Sequence, residues 1–162
     1  MGLAFEKLLS EKAFDEITIT DISKEANIAR KTFYNYYEDK YELIDRLASL
    51  TFLELEKLSH GNLAISHQER IVVWLKYIKE RQALFHVLLT IERTYSFRVK
   101  FIDYLRDSLR KHGDFKNNEL SLQFYANGVL GLVNTMIDNR IETNVNDVAI
   151  EINKLVPIVF LD

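Results

Sequence analysis

Arg30 and Lys31 stand side by side at the start of a short run that continues with Thr32, Tyr34, Asn35 and Tyr36. Two cations with hydroxyl and amide groups behind them can hydrogen-bond base edges in a major groove and grip the phosphates beside it. Phe33 and Tyr37, four residues apart, can turn inward from the same segment and anchor it, leaving the polar residues on the outer face. Thr18 and Thr20 upstream and Lys40 downstream complete the groups expected at the DNA backbone, where they would fix register.

The elements around this run are short and sharply punctuated. Ile19, Ile22 and Ala26 form one stripe of a helix starting at Thr18, and Thr18 with Asp21 fits a capping box. Asn27 tolerates the left-handed conformation that a tight turn requires. A second helix follows over Ala29 to Tyr37, and Asp39 with Glu42 repeats the capping pattern before a third begins near Lys40. Helices below about 12 residues are marginal alone, so this one must be held by its neighbours. The competing interpretation of the same residues is a solvated helical hairpin whose surface polarity is incidental.

The stretch resembles the helix-turn-helix of the TetR family of bacterial transcriptional regulators. The residues that carry the resemblance are Thr18, Ile22, Ala26, Ile28, Thr32-Phe33-Tyr34, Tyr36-Tyr37 and Lys40. Two departures stand out: Asn27 where the family usually has Gly, and Ala29 where a Ser or similar cap is usual. The second omits a side-chain cap of about 1 kcal/mol. The family's first helix usually follows a basic arm, whereas here only Met1 to Lys12 precede the turn at Ala13-Phe14. Further on, LQFYANGVLGLVNTMIDN is similar to the carboxy-terminal domain of a TetR subgroup with an FYxxGxxGL-type helix, with Met136 where that subgroup often has Trp. LFHVLL and Phe97 are similar to the same subgroup, so the resemblance covers residues 14–47 densely and 77–160 more loosely.

Composition narrows the remaining classes. The 162 residues are 48% hydrophobic, with one Pro, five Gly and no Cys, which favours a mostly helical protein and excludes disulfides and Cys-based zinc sites. No apolar run nears the ~20 residues needed to cross a bilayer, and no charged-then-apolar leader opens the chain, so the expectation is a cytoplasmic protein without a membrane partner. His60, His67, His86 and His112 show no i, i+4 pairing, and there is no Gly-rich phosphate loop or nucleophile elbow, so no metal, cofactor or catalytic residue is expected. Residues 1–47 hold seven Lys and Arg against ten Asp and Glu, whereas the rest carry fourteen of each. DNA binding must therefore come from local placement of Arg30, Lys31 and Lys40, with Asp15, Glu16 and Glu25 elsewhere, and a shallow salt dependence follows.

The expected architecture is all-α: a three-helix helix-turn-helix domain over 1–47 and a helical regulatory and dimerisation domain over 48–162. The first helix carries Leu3, Phe5, Leu8 and Leu9, and a long helix runs from Lys40 to about Ser59, with a break at His60-Gly61-Asn62. Ser66 with Glu69 caps a helix to about Glu80; a short apolar segment covers Ala83 to Ile91. Helices over Tyr95–Lys111, ending at His112-Gly113, then Asn118–Arg140 and Asn146–Phe160, complete the chain. Gly128 and Gly131 cost roughly 1 kcal/mol each relative to Ala inside a helix, so something should pack closely on them. Either another helix of the same chain or a second copy can do so; the resemblance favours a homodimer through Phe124, Gly128, Gly131 and Val156. Trp74, Tyr77, His86, Phe101, Tyr104 and Phe124 could line a pocket for a small-molecule effector, with Arg93 a further polar group, or could be plain core. The resemblance implies a regulator, more a repressor than an activator, binding an inverted repeat of double-stranded DNA and relieved by a small molecule or partner protein. An interaction protein that has lost operator binding is the alternative that the acidic amino-terminal domain over 1–47 and the missing basic arm support.

Overall fold

The computed structural model describes residues 1–60, 65–112 and 118–156, where nine α-helices and two 3-10 turns occur and no strand. The helices are α1 (Gly2–Glu11), α2 (Ile19–Glu25), α3 (Arg30–Tyr34), α4 (Lys40–His60), α5 (His67–Glu80), α6 (Gln82–Thr90), α7 (Tyr95–His112), α8 (Glu119–Ile137) and α9 (Val145–Leu155). The 3-10 turns lie at Phe14–Glu16 and Glu92–Thr94. Helix α1 packs on α2 and α6, α7 on α8, and α5 on α9.

The first four helices close around Phe5, Phe14, Ile17, Ile22, Phe33, Leu43 and Ile44, all buried. Phe14 meets Phe5 and Tyr41 edge to face, with centroids 6.1 and 5.4 Å apart. Leu3 departs from the expected apolar stripe. It is 85% exposed, because the face of α1 that turns inward is set by Phe5, Leu8 and Leu9.

Several helix ends follow the capping chemistry written in the sequence. Thr18 accepts from the Asp21 N–H at 3.1 Å, and Asp21 accepts from the Thr18 N–H at 2.9 Å. Ser66 and Glu69 repeat the reciprocal pair at the start of α5. Asp39 accepts from the N–H groups of Tyr41 and Glu42, both at 2.8 Å, but Glu42 reaches back to the Glu38 N–H rather than to Asp39.

The carboxy-terminal helices differ from expectation at their boundaries. Helix α8 stops at Ile137 instead of Arg140 because Asn139 turns left-handed, at φ 51°. Lys79 donates to the Met136 carbonyl at 2.9 Å and to the Asn139 side chain at 2.7 Å, closing that end. Asn144 caps α9 one residue earlier than expected. The expected breaks at Gly61-Asn62 and Gly113, and the stretch through Phe160, lie outside the described residues.

The cap of α2 makes a prediction about acid stability. The Asp21 carboxyl is held down to about 2 by the Thr18 N–H and hydroxyl, then by Lys12. Its folded value lies below its ordinary one, so its stabilisation is complete above the ordinary carboxylate range and fades as pH falls toward about 2. Asp21→Asn should lower the melting temperature at neutral pH, and the gap from the parent should close as pH drops toward 2. Thr18→Ala should cost about 1 kcal/mol. Thermal melts followed by circular dichroism check both, and a gap that does not change with pH would exclude the charged cap.

Candidate nucleic-acid interface

The turn between α2 and α3 is built by the backbone. Asn27 adopts φ 52°, its N–H donates to the Lys24 carbonyl at 3.1 Å, and the Ile28 N–H donates to the Ser23 carbonyl at 2.9 Å. This pair of bonds is a Schellman closure, with Asn in the position that Gly usually fills. Ala29 precedes α3 without a side-chain hydrogen bond, and only its carbonyl serves, accepting from the Thr32 N–H at 2.8 Å. The five residues of α3 are held instead by Phe33, which is fully buried and lies 5.6 Å from the Tyr37 ring.

With Phe33 inward, Arg30, Lys31, Tyr34, Asn35 and Tyr36 are exposed together and Thr32 is half-buried beside them. The Arg30 guanidinium donates to the Tyr34 hydroxyl at 3.1 Å and lies 5.6 Å from the Tyr34 ring centroid. Arg30 is thereby laid along the helix, and a contact to a guanine edge would replace a weak exposed bond with a bidentate one. Lys31 has no acidic partner among the described residues. Thr20 is exposed on α2, but the Thr18 hydroxyl is committed to the cap, donating to Asp21 at 2.7 Å.

Lys40 has a different use from the expected phosphate contact. Its ammonium donates to the carbonyls of Phe14 at 2.8 Å, Asp15 at 3.0 Å and Ile17 at 3.0 Å, which uses all three of its N–H donors. It also lies 4.7 Å from the centroid of Phe14. Lys40 therefore clamps the 3-10 turn to the first residue of α4 and has no donor left for DNA. The acidic balance is offset locally too: Lys7 pairs with Glu25 at 2.6 Å and Lys12 with Asp21 at 3.2 Å, on the side where α1 meets α2.

The residues expected around an effector pocket divide into two groups. Trp74 stacks on Phe101 at 5.8 Å and on Tyr104 at 6.5 Å, and Tyr77 meets Phe85 edge to face at 6.1 Å. Burial pushes the Tyr77 phenol up. His86 and Phe124 are not with them. His86 is exposed and faces Asp138 across 2.9 Å, while Phe124 is 74% exposed on α8. The Arg93 side chain lies outside the described residues. A cavity of about 110 Å³ lies beside Trp74 and Tyr104, between α5, α7, α8 and α9. Sequence patterning missed Arg70 at this cavity, although its i, i+4 spacing to Trp74 on α5 was the available signal.

The expected dimer residues also separate. Gly128 and Gly131 have no neighbour within 4 Å of a Cβ built on them, so no described part of the chain packs there. Val156, in contrast, is buried in the chain's own core and lines the cavity. A joint that periodicity could not show ties α1 to the far side of the molecule. Arg81, between α5 and α6, donates to Glu6 at 2.8 and 2.5 Å and also to the Tyr77 hydroxyl.

Residues 4–47 match the sequence model for bacterial regulatory proteins of the tetR family. The chain is 28% identical over 92 residues to the HTH-type dhaKLM operon transcriptional activator DhaS of Lactococcus lactis, a match covering 57% of this chain and 48% of that protein. It is 37% identical over 67 residues to the uncharacterized HTH-type transcriptional regulator YxbF of Bacillus subtilis, covering 41% and 17% respectively. The chain thus spans less than half the length of these curated relatives. A solved dihydroxyacetone kinase operon activator DhaS shares the fold with TM-score 0.69 at 21% identity, over 95% of this chain and 90% of that one.

The two cations at the interface should separate experimentally. Lys40→Ala should destabilise the protein by roughly 2 kcal/mol, the scale of hydrogen bonds from a charged donor, because three carbonyls lose their partner. It should leave the salt dependence of DNA binding unchanged once measured on folded protein, whereas Lys31→Ala should flatten that dependence by about one unit. Urea melts and fluorescence anisotropy at several salt concentrations make the comparison.

Proposed function

We propose that the chain, whose residues 4–47 match the tetR family model, is a TetR-family, sequence-specific DNA-binding transcriptional regulator rather than an enzyme. The observation that carries this reading is one exposed surface, formed by Arg30, Lys31 and Tyr34 on α3 and by Asn35 and Tyr36 in the turn that ends it three residues before the expected Tyr37, fixed from beneath by Phe33. Arg30 is the base reader; Lys31, Thr32, Tyr36 and Thr20 hold phosphates. Residues 1–47 act as the reading unit and 48–162 as the regulatory one, joined by α4.

The regulator acts as a homodimer. Leu120, 83% exposed, and Phe124 share α8 with the uncovered Gly128 and Gly131, giving an apolar face whose glycines admit a close helix. Burial of that face by a second copy offsets the propensity cost of the glycines, and twofold symmetry matches an inverted-repeat operator. Repression by occupying a promoter is the expected mode, relieved by a small molecule or partner protein, in the cytoplasm. The activator name of the Lactococcus lactis relative favours the opposite sign, which a reporter gene read with and without the regulator decides.

Selection of bound fragments from random DNA by the purified protein should enrich an inverted repeat. Arg30→Ala should then cost about 1–3 kcal/mol at one operator position and relax preference there, whereas equal losses on random DNA would remove its base-reading role. No enrichment at low salt would favour an interaction protein without an operator. Gly131→Leu should yield monomer or aggregate in sedimentation and lose operator binding although α3 is untouched. A parent chain that stays monomeric at micromolar concentration and binds a single half-site would overturn the dimer.

A further inference from the structure

The cavity between α5, α7, α8 and α9 has a mixed lining that suits one ligand chemistry. Leu105, Val129 and Ile152 make its walls apolar, while Arg70, Trp74 and Ser108 bring polar groups to it. Arg70 and Trp74 are four residues apart on α5, so both side chains fall on one face of that helix. Trp74 is only 8% exposed, and its indole N–H is sealed from water without an acceptor among the described residues. Arg70 makes one long bond, 3.4 Å to the Ile65 carbonyl, and has no carboxylate partner among the described residues. A guanidinium and an indole N–H are both donors with no acceptor function, so a ligand that pairs with them offers acceptor atoms. A carboxylate answers a guanidinium with two oxygens in matching geometry.

The pocket opens to the surface, and its volume bounds the part of the molecule that it encloses. A cavity of about 150 Å³ lined by apolar side chains holds benzene, so the 110 Å³ here suits about half a dozen non-hydrogen atoms. We propose that this cavity binds a short-chain monocarboxylate, its carboxylate held by Arg70 and the Trp74 indole and its alkyl chain against Leu105, Val129 and Ile152. The assignment deepens the effector part of the proposed function and rests on that reading for its regulatory meaning.

Trp74 is the single Trp of the chain, so its emission reports directly on occupancy. Pentanoate titrated into the purified full chain should change that emission saturably, and 1-pentanol should bind at least tenfold more weakly. Arg70→Gln should erase the preference for the acid. Val129→Phe, which fills the cavity, should abolish binding of both compounds with the helical circular dichroism spectrum retained. Absence of a saturable change with butanoate, pentanoate and hexanoate would overturn the proposal. So would equal binding of acid and alcohol by the parent, or an acid preference that survives Arg70→Gln. Anisotropy on the selected DNA, run in parallel, keeps the two readings apart: saturable acid binding without DNA binding sinks the regulator and leaves the cavity assignment standing, and the reverse result sinks the cavity alone.

Discussion

A five-residue helix has no stability of its own, and the amino-terminal half of the molecule is organised around that constraint. Nucleating a helical turn fixes several dihedrals for a single hydrogen bond, so α3 can persist only where other groups supply the missing free energy. Three devices do so. The Schellman closure at Asn27 sets where the chain leaves α2, Phe33 drives one side of α3 into the core, and the Asp39 cap restarts the helix at α4. None of the three uses a residue on the outer face. Lys31, Asn35 and Tyr36 therefore carry no packing load of their own, whereas Tyr34 meets Phe33 edge to face at 5.8 Å and Arg30 bonds only to Tyr34.

Lys40 shows the opposite allocation. A lysine at the start of a helix is poorly placed for the helix dipole, which favours anions there. Here it spans to the carbonyl end of the 3-10 turn, where a cation is favoured, and lies against the faces of Phe14 and Tyr41. Lys40 grips its own backbone because the Phe14–Glu16 turn brings three carbonyls within reach of one ammonium.

The fold class was legible in the sequence, and so were the two short helices and the turn between them, though α3 ends at Tyr34 rather than Tyr37, because all rest on local signals: periodicity, caps and a turn residue. Thr18 with Asp21 and Ser66 with Glu69 lie three residues apart, and Asn27 declares its conformation by its type. What stayed hidden was set by groups far apart in the chain. The clamp of Lys40 on Phe14 and the joint of Arg81 on Glu6 involve separations of 26 and 75 residues. The early end of α8 likewise depends on Lys79, 57 residues before the carbonyl it caps. For His86 and Phe124 residue type points to a pocket while both are exposed, on α6 and α8, because periodicity on a strongly apolar helix does not resolve which face is buried. The uncovered glycines are a middle case, since their propensity cost was readable while the side that remained open was not.

The Arg81 joint gives the two halves a mechanical connection besides α4. Arg81 sits where α5 ends and α6 begins, and its guanidinium is shared between Glu6 of α1 and the Tyr77 hydroxyl of α5. Tyr77 packs on Phe85, which also meets Phe101, the ring on which Trp74 stacks. A continuous set of packed rings and one half-buried ion pair thus runs from the cavity wall to α1. Close-packed interiors transmit displacement rather than absorb it. A molecule bound beside Trp74 would alter DNA affinity only to the extent that it binds the two orientations of α1 and α4 unequally. The joint makes such inequality physically available: α1 and the α5–α6 corner are pinned to each other, so a shift of α5 that keeps the Glu6 bonds must carry α1 with it, and a shift that breaks them leaves a half-buried guanidinium without its carboxylate.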